Sequence, residues 1–460
     1  MILRNFALFI PFILAYYTDQ TDTKYMFAWL GSIYLIAYSV FLCKNVFKEK
    51  IDFFSPIVLS QTLFWGYTGL TSIFYFFDQK GYEFFERVSP FENTLELQRT
   101  ANSQAYIVLG HASYLLGYFF IKSKNNYPKY KLNFKNNTYF MLSICSMLLA
   151  FIFRFTPIVQ LSSYLALFST LCGVRYFGLA LKNKLHIPLA TIYLIIILIA
   201  GFLSGMKENT LYPLIFIGFI MYESFGILKT SVIFVPLMVL YFYYIPAYNN
   251  KVRDTRWYDN KTALETFDII SNVEISEDEI KNNNWGFLTI RLSEISMLNT
   301  YIENVPDKRS YYDFEIMGYG LMSLVPRFIW PDKPSPDETA QRRAVENGAL
   351  ILNSEKDRTS AKPQTIADAY LSRGAIGVAI TFLVFGMILK LATNFLYSKL
   401  GYELGISVLF YSLFSILSRG GSFENLFNTI AYGFISVYVW IEVLKKYSLI
   451  KLNNVKYMNI

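Results

Sequence analysis

IPLATIYLIIILIAGFLSG (Ile187–Gly205), TSVIFVPLMVLYFYYIPAY (Thr230–Tyr248) and GAIGVAITFLVFGMIL (Gly374–Leu389) carry no charged residue, and their reading decides the fold. About 20 helical residues cross a bilayer core of roughly 30 Å, so apolar runs of this length read as membrane spans. Comparable runs recur along the chain, separated by short charged patches. They predict an all-α, polytopic membrane protein of about twelve spans, near residues 2–17, 25–47, 54–77, 102–121, 138–154, 157–179, 187–205, 210–225, 230–246, 374–397, 402–418 and 423–444. The first run superficially resembles a signal peptide. It ends in Tyr16, Tyr17, Thr18 and Asp19 with no small-x-small cleavage site, so it reads as a span or an interfacial helix.

Composition agrees with the runs. The 460 residues are 54% apolar and 17% charged, with a net charge of +8. Cys43, Cys145 and Cys172 all lie in apolar runs, which makes them small core residues rather than a disulfide framework or a metal site. A soluble enzyme, a nucleic-acid binder and a disulfide-stapled secreted domain are excluded.

Short-loop Lys and Arg set the orientation, because such residues accumulate on the cytoplasmic side. One set of loops, among them those holding Lys44, Lys122, Lys182, Lys229, Lys390 and Lys445, carries 19 basic residues. The other set, with Lys24, Lys80, Arg87, Arg99, Arg154, Lys207 and Arg419, carries 7. Both termini are therefore expected in the cytoplasm, and the basic balance reflects topology. Three regions follow: a transmembrane bundle over 1–246, a long external segment over 247–373, and a second bundle with a cytoplasmic tail over 374–460. The external segment holds 16 Lys/Arg against 20 Asp/Glu. It is far longer than the 12–15 residues or so beyond which a loop is usually functional or disordered, and its tryptophans argue against disorder.

Within it, Trp285–Val305 has helical spacing. The stretch FEIMGYGLMSLVPRFIW (Phe314–Trp330) reads as an amphipathic, interfacial or re-entrant helix that brings Arg327 to the membrane surface. WPDKPSP (Trp330–Pro336) follows, with prolines fixing an extended path and Trp330 as an interface anchor. Arg373 and Gly374 stand at the mouth of the next span.

LVPRFIWPDKP, followed about thirty residues later by IADAYLSRGAIGVAITFLVFG, resembles the O-antigen polymerase family of Wzy-type repeat-unit polymerases. The motifs cover about residues 318–386, and the architecture matches along nearly the whole chain. The resemblance implies a bacterial inner-membrane protein whose long loop is periplasmic. It implies transfer of a growing glycan from undecaprenyl diphosphate to another lipid-linked repeat unit, with the lipid bilayer and a chain-length regulator as further candidate partners, and with no nucleic acid or cofactor. An O-antigen ligase and a lipid-linked oligosaccharide flippase are the alternatives. Ligases in this architecture are expected to use a loop His, and residues 247–373 contain none. SGMKENTLYPLI (Ser204–Ile215) resembles the family's small-basic turn, from which Lys207 and Glu208 depart.

A leaving diphosphate needs fixed positive charge, which Arg supplies in bidentate form. Arg327, Arg373 and Arg419 are the expected charge-stabilising residues, and Asp368, Glu424 and His111 the base candidates. Trp330, Lys333, Lys207 and Arg154 are expected to bind substrate. Each has a bland reading too: a snorkelling interface Arg, a hydrogen-bonded structural His, a carboxylate capping a turn. Asp19 and Asp22 form the tidiest acidic pair, and no metal or nucleotide motif is present.

Overall fold

The computed structural model describes residues 2–47, 55–122, 130–132, 136–156, 160–204, 207–255, 259, 261–272, 275–292, 294–327, 329–350, 363–409, 421–446 and 450–452. These are mostly helical, as expected. The first helices are α1 (Ile2–Tyr16), α2 (Thr21–Phe41), α3 (Pro56–Ser60), α4 (Tyr67–Leu70), α5 (Ser72–Gln79) and α6 (Thr94–Phe120). Then come α7 (Asn136–Phe153), α8 (Gln160–Asn183), α9 (Ile187–Phe202), α10 (Lys207–Arg253), α11 (Ala263–Ser271) and α12 (Glu277–Gly286). The last are α13 (Ile295–Asn304), α14 (Glu315–Ser323), α15 (Pro336–Glu346), α16 (Thr365–Leu409) and α17 (Phe423–Lys446).

Two compact units result, one from Met1–Lys131 with Leu288–Ile460 and one from Leu132–Phe287. In the first, α1, α2 and α16 pack around α6. The α6–α16 pair meets backbone to backbone. A Cβ added at Gly117 would lie 1.9 Å from the Leu383 carbonyl oxygen, and one at Gly386 would lie 2.0 Å from that of Tyr114. Glycine at a helix crossing lets the two backbones approach this closely. Asn299 ties α13 to α6 by accepting from Ser103 at 2.6 Å and donating to Thr100 at 2.9 Å. Asp22, one member of the acidic pair, is tied to Lys80 by an ion pair. In the second unit, Ser143 and Ser169 each donate to the other's carbonyl oxygen at 2.6 Å, stitching α7 to α8. Gly226, at φ +76, kinks α10 at mid-length.

Four helical segments are long and apolar enough to cross a membrane: Thr21–Val46, Leu161–Asn183, Phe225–Arg253 and Thr365–Leu396. Their apolar outer faces, such as Leu228 and Val232 on α10, are compatible with lipid. The expectation of twelve spans is corrected to these four among the described residues, and the reasons are local. Residues 54–77 do not form one helix, because a π-helical turn at Gln61–Gly66 and a bend at Thr71 cut them into α3, α4 and α5. Residues 102–121 belong to α6, which begins among charged residues at Thr94 and buries Gln104, His111 and Ser113. The helices Asn5–Tyr16, Thr138–Phe153, Ile187–Phe202 and Asn209–Tyr222 are apolar but shorter, and at 1.5 Å per residue they fall short of a bilayer core of roughly 30 Å. The expected 402–418 span lies partly outside the described residues.

A second difference lies at 374. Helix α16 starts at Thr365, so Asp368 and Arg373 are helical rather than at the end of a loop. Gly374 sits inside it at φ +58, and a Cβ there would meet the Tyr311 hydroxyl at 2.6 Å, so both backbone and space call for glycine.

Gly117→Val and Gly386→Val should each force α6 and α16 apart and cost about 1–3 kcal/mol or more. Thermal unfolding in detergent checks this: both variants should melt several degrees lower, whereas Gly318→Ala, with nothing within 4 Å of its added Cβ, should melt like the parent.

Candidate functional site

Among the described residues of the first unit, a buried cluster of one cation and two acids is built on α15, α16 and α17. Helix α15 is set by a capping box. The Ser335 hydroxyl accepts from the Glu338 N–H at 3.0 Å, the Glu338 carboxylate accepts from the Ser335 N–H at 3.0 Å, and Pro336 takes the first helical position. From that start Ala340, Arg343, Ala344 and Asn347 fall on one buried face. An arginine thus enters the interior in an otherwise small-residue stripe.

Arg343 uses all five of its N–H bonds there. Nε and Nη2 donate to the two oxygens of Asp368 at 3.1 and 3.0 Å. Nη1 and Nη2 donate to the two oxygens of Glu424, the Nη2 bond measuring 2.8 Å. The remaining Nη1 proton goes to the Thr339 carbonyl oxygen at 3.4 Å. Both carboxylates are therefore held in bidentate forks from one planar cation, a geometry an ammonium cannot make. Burial alone would lower the Arg343 pKa, but Asp368 and Glu424 outweigh it and raise it, so the guanidinium stays charged.

The carboxylates have further duties. Asp368 accepts the Phe423 backbone N–H at 2.8 Å, satisfying an amide in the first turn of α17 that has no partner within that helix. Glu424 accepts the Thr339 hydroxyl at 2.8 Å. One cation faces two acids, so the centre is anionic overall unless it shares a proton.

A narrow open cleft runs beside Glu424, lined by Tyr319, Met322, Ser323, Lys333, Thr339 and Glu424 among others. It admits one small polar group rather than a whole sugar. Lys333 is buried in its wall, donating to the Ser323 carbonyl at 2.8 Å and to that of Val325. These are the loose carbonyls at the C-terminal end of α14, where a cation is favoured. Two of the three ammonium N–H bonds are used in this way. Burial lowers the Lys333 pKa, and the nearby Arg327 charge lowers it further. Tyr319 donates to Glu315 at 2.5 Å; that bond, more than burial, raises its pKa. The Arg343 guanidinium lies over the Tyr319 ring, 5.9 Å from its centroid. Arg342, exposed on α15, is also within electrostatic reach of Tyr319.

Of the residues expected from sequence, the structure brings Lys333, Asp368 and Glu424 together. Arg327 is exposed, with Nη1 3.5 Å from the Pro331 carbonyl oxygen, yet near enough to influence Lys333. Arg373 is exposed and faces Asp313 at 3.8 Å. Trp330 is exposed on the turn before Lys333. His111 is fully buried in α6, away from the other base candidates, with Nε2 2.6 Å from the Gln61 side-chain oxygen and its ring stacked on Trp65. Arg154 is exposed past the end of α7, and Lys207 is the first residue of α10. Arg419 lies outside the described residues. Sequence reasoning missed Arg343, Thr339 and Tyr319. The legible signal for Arg343 was its place four residues after Thr339 and three after Ala340 on a helix announced by SPDE.

Fold and site together define a helical protein, compatible with a membrane, organised round one buried arginine that bridges two carboxylates. The chain belongs to the DUF8712 family, described as a domain of unknown function, whose match runs over residues 10–452. No curated protein matches the chain, and no solved structure does.

Arg343→Met leaves two acids buried without a counter-charge and should cost about 3–5 kcal/mol. The triple variant Arg343→Met, Asp368→Asn, Glu424→Gln removes all three charges and keeps one acceptor oxygen on each of the two shortened forks. It should recover most of the loss in a denaturant or thermal series, and Arg343→Lys should fall between the two.

Proposed function

We propose that this protein is a membrane glycosyltransferase that polymerises lipid-linked oligosaccharide repeat units at the outer face of a bacterial inner membrane. In this reading the termini are cytoplasmic and the segment 247–373 is periplasmic, as the sequence resemblance implies. The donor is a glycan on a polyprenyl diphosphate and the acceptor is a second lipid-linked repeat unit.

The observation that carries the reading is the cleft beside Glu424, close to the first turn of an apolar, span-length helix, with Lys333 in its wall and Arg327 and Arg342 nearby. In the transfer, an acceptor hydroxyl oxygen forms a bond to the anomeric carbon as the bond to the diphosphate oxygen breaks. The diphosphate leaves with the electron pair, and the hydroxyl proton passes to water or a carboxylate. Developing charge on the leaving group is the largest demand, and preorganised cations meet it. Glu424 is already committed to Arg343 and is a weak base. Its part is to accept a hydrogen bond from the acceptor hydroxyl and hold it in line, where orientation alone lowers the barrier. Residue positions, the apolar helices and the sequence resemblance support this reading jointly.

Deleting the gene in an organism that makes a long surface polysaccharide should leave single repeat units on the surface anchor, seen as collapse of the ladder on a gel. A bare anchor would point to ligation, and an unchanged ladder rejects the proposal. In complementation, Arg327→Gln with Arg342→Gln, both exposed, should cut polymer formation about 100-fold, the scale of losing a transition-state charge contact, at normal membrane abundance.

A further inference from the structure

Helix α14 is apolar on the side that faces away from the protein. Ile316, Gly320 and Ser323 are buried, and Gly320 packs against Phe427 of α17. Opposite them, Phe314, Met317, Leu321 and Met322 are exposed, by 77%, 43%, 54% and 45%. Their spacing of three, four and one residues places them along one outer face. Ile329 and Trp330 extend the patch past the turn. A helix on a water-facing surface carries polar residues there, and a contiguous apolar face marks an interaction surface.

What covers it follows from where it is tied. The Tyr312 N–H, just before α14, donates to the Leu371 carbonyl of α16 at 3.0 Å. Tyr311 lies against Gly374 of α16, and Asp313 faces Arg373 at 3.8 Å. The start of α14 is thus fixed at residues 371–374 of the span-length segment Thr365–Leu396. Directly beyond, Ile376, Ile380 and Val384 of α16 form an exposed apolar stripe at intervals of four. The two exposed apolar surfaces are neighbours, with the Asp313–Arg373 pair between them.

We propose that Phe314, Met317, Leu321, Met322, Ile329 and Trp330 lie in the boundary between headgroups and acyl chains of the bilayer, with Trp330 and Arg327 as anchors, so that the membrane surface itself is the partner of α14. The inference rests on reading α16 as a span. An amphipathic helix at this boundary sits about 5–10 Å deep. Because Tyr319, Met322 and Ser323 of α14 line the cleft, docking presents the cleft at headgroup level, where a lipid-borne substrate reaches it by lateral diffusion.

The test uses the full chain with Cys43, Cys145 and Cys172 replaced by Ala, in liposomes of phosphatidylethanolamine and phosphatidylglycerol. Single nitroxide labels go at Met317, Leu321, Ile380 and Lys308, each introduced as Cys, the last as an exposed polar control. Relaxation by oxygen, which partitions into lipid, is compared with relaxation by a water-soluble nickel chelate. Labels at 317 and 321 should follow the Ile380 label, with oxygen contact several-fold above nickel contact. If they follow the Lys308 label while Ile380 stays in lipid, the docking proposal is overturned. Exclusion of both reagents from 317 and 321 overturns it as well, in favour of a second copy covering the face. A water-exposed Ile380 label overturns the span reading and the docking together, and the ladder assay reports separately on polymerisation.

Discussion

One guanidinium holds three helices in register. Arg343 of α15 distributes its five N–H bonds over Asp368 of α16, Glu424 of α17 and the carbonyl of Thr339. Buried ion pairs are weak contributors to net stability, because desolvation offsets most of their attraction. What such a centre supplies is uniqueness: a packing that shifts any of the three helices by one turn leaves a charge buried without its partner, at a cost of several kcal/mol. The cleft inherits its shape from this constraint, since Glu424 and Thr339 belong to both.

A second theme is the shared use of polar groups at helix ends. Lys333 and the Tyr432 hydroxyl both serve carbonyls at the C-terminal end of α14. Glu424 contributes its backbone carbonyl to Ser323 and its side chain to Arg343 and Thr339. Residues that would bind a substrate are therefore also the residues that complete α14. Lys333 combines the two roles most closely, and its depressed basicity follows from burial in that position.

Much of this was legible in the amino-acid order. The charge-free runs marked the apolar helices, and the aromatic, Met and Leu content of Phe314–Trp330 marked a helix, which forms over Glu315–Ser323. Asp368 and Glu424 stood out individually as acids beside apolar helices. That they face each other across an arginine was not legible, because pairing between residues 343, 368 and 424 is a tertiary fact with no local periodicity. Arg343 was passed over since an arginine on a polar-looking helix is ordinarily solvated, and only its coincidence with Ala340, Ala344 and Asn347 betrays an inward face. The span count ran too high for a related reason. Hydropathy counts apolar residues but does not see the π-helical turn at Gln61–Gly66 or the buried polar stripe of α6.

The bond from the Phe423 N–H to Asp368 couples two helices at a point that usually looks after itself. An N-terminal helical turn ordinarily draws its first acceptor from the residue just before it. Here the acceptor comes from a side chain 55 positions upstream. An amide that most helices leave to water is here joined to a neighbouring helix, so a change at Asp368 disturbs the start of α17 and the arginine fork together.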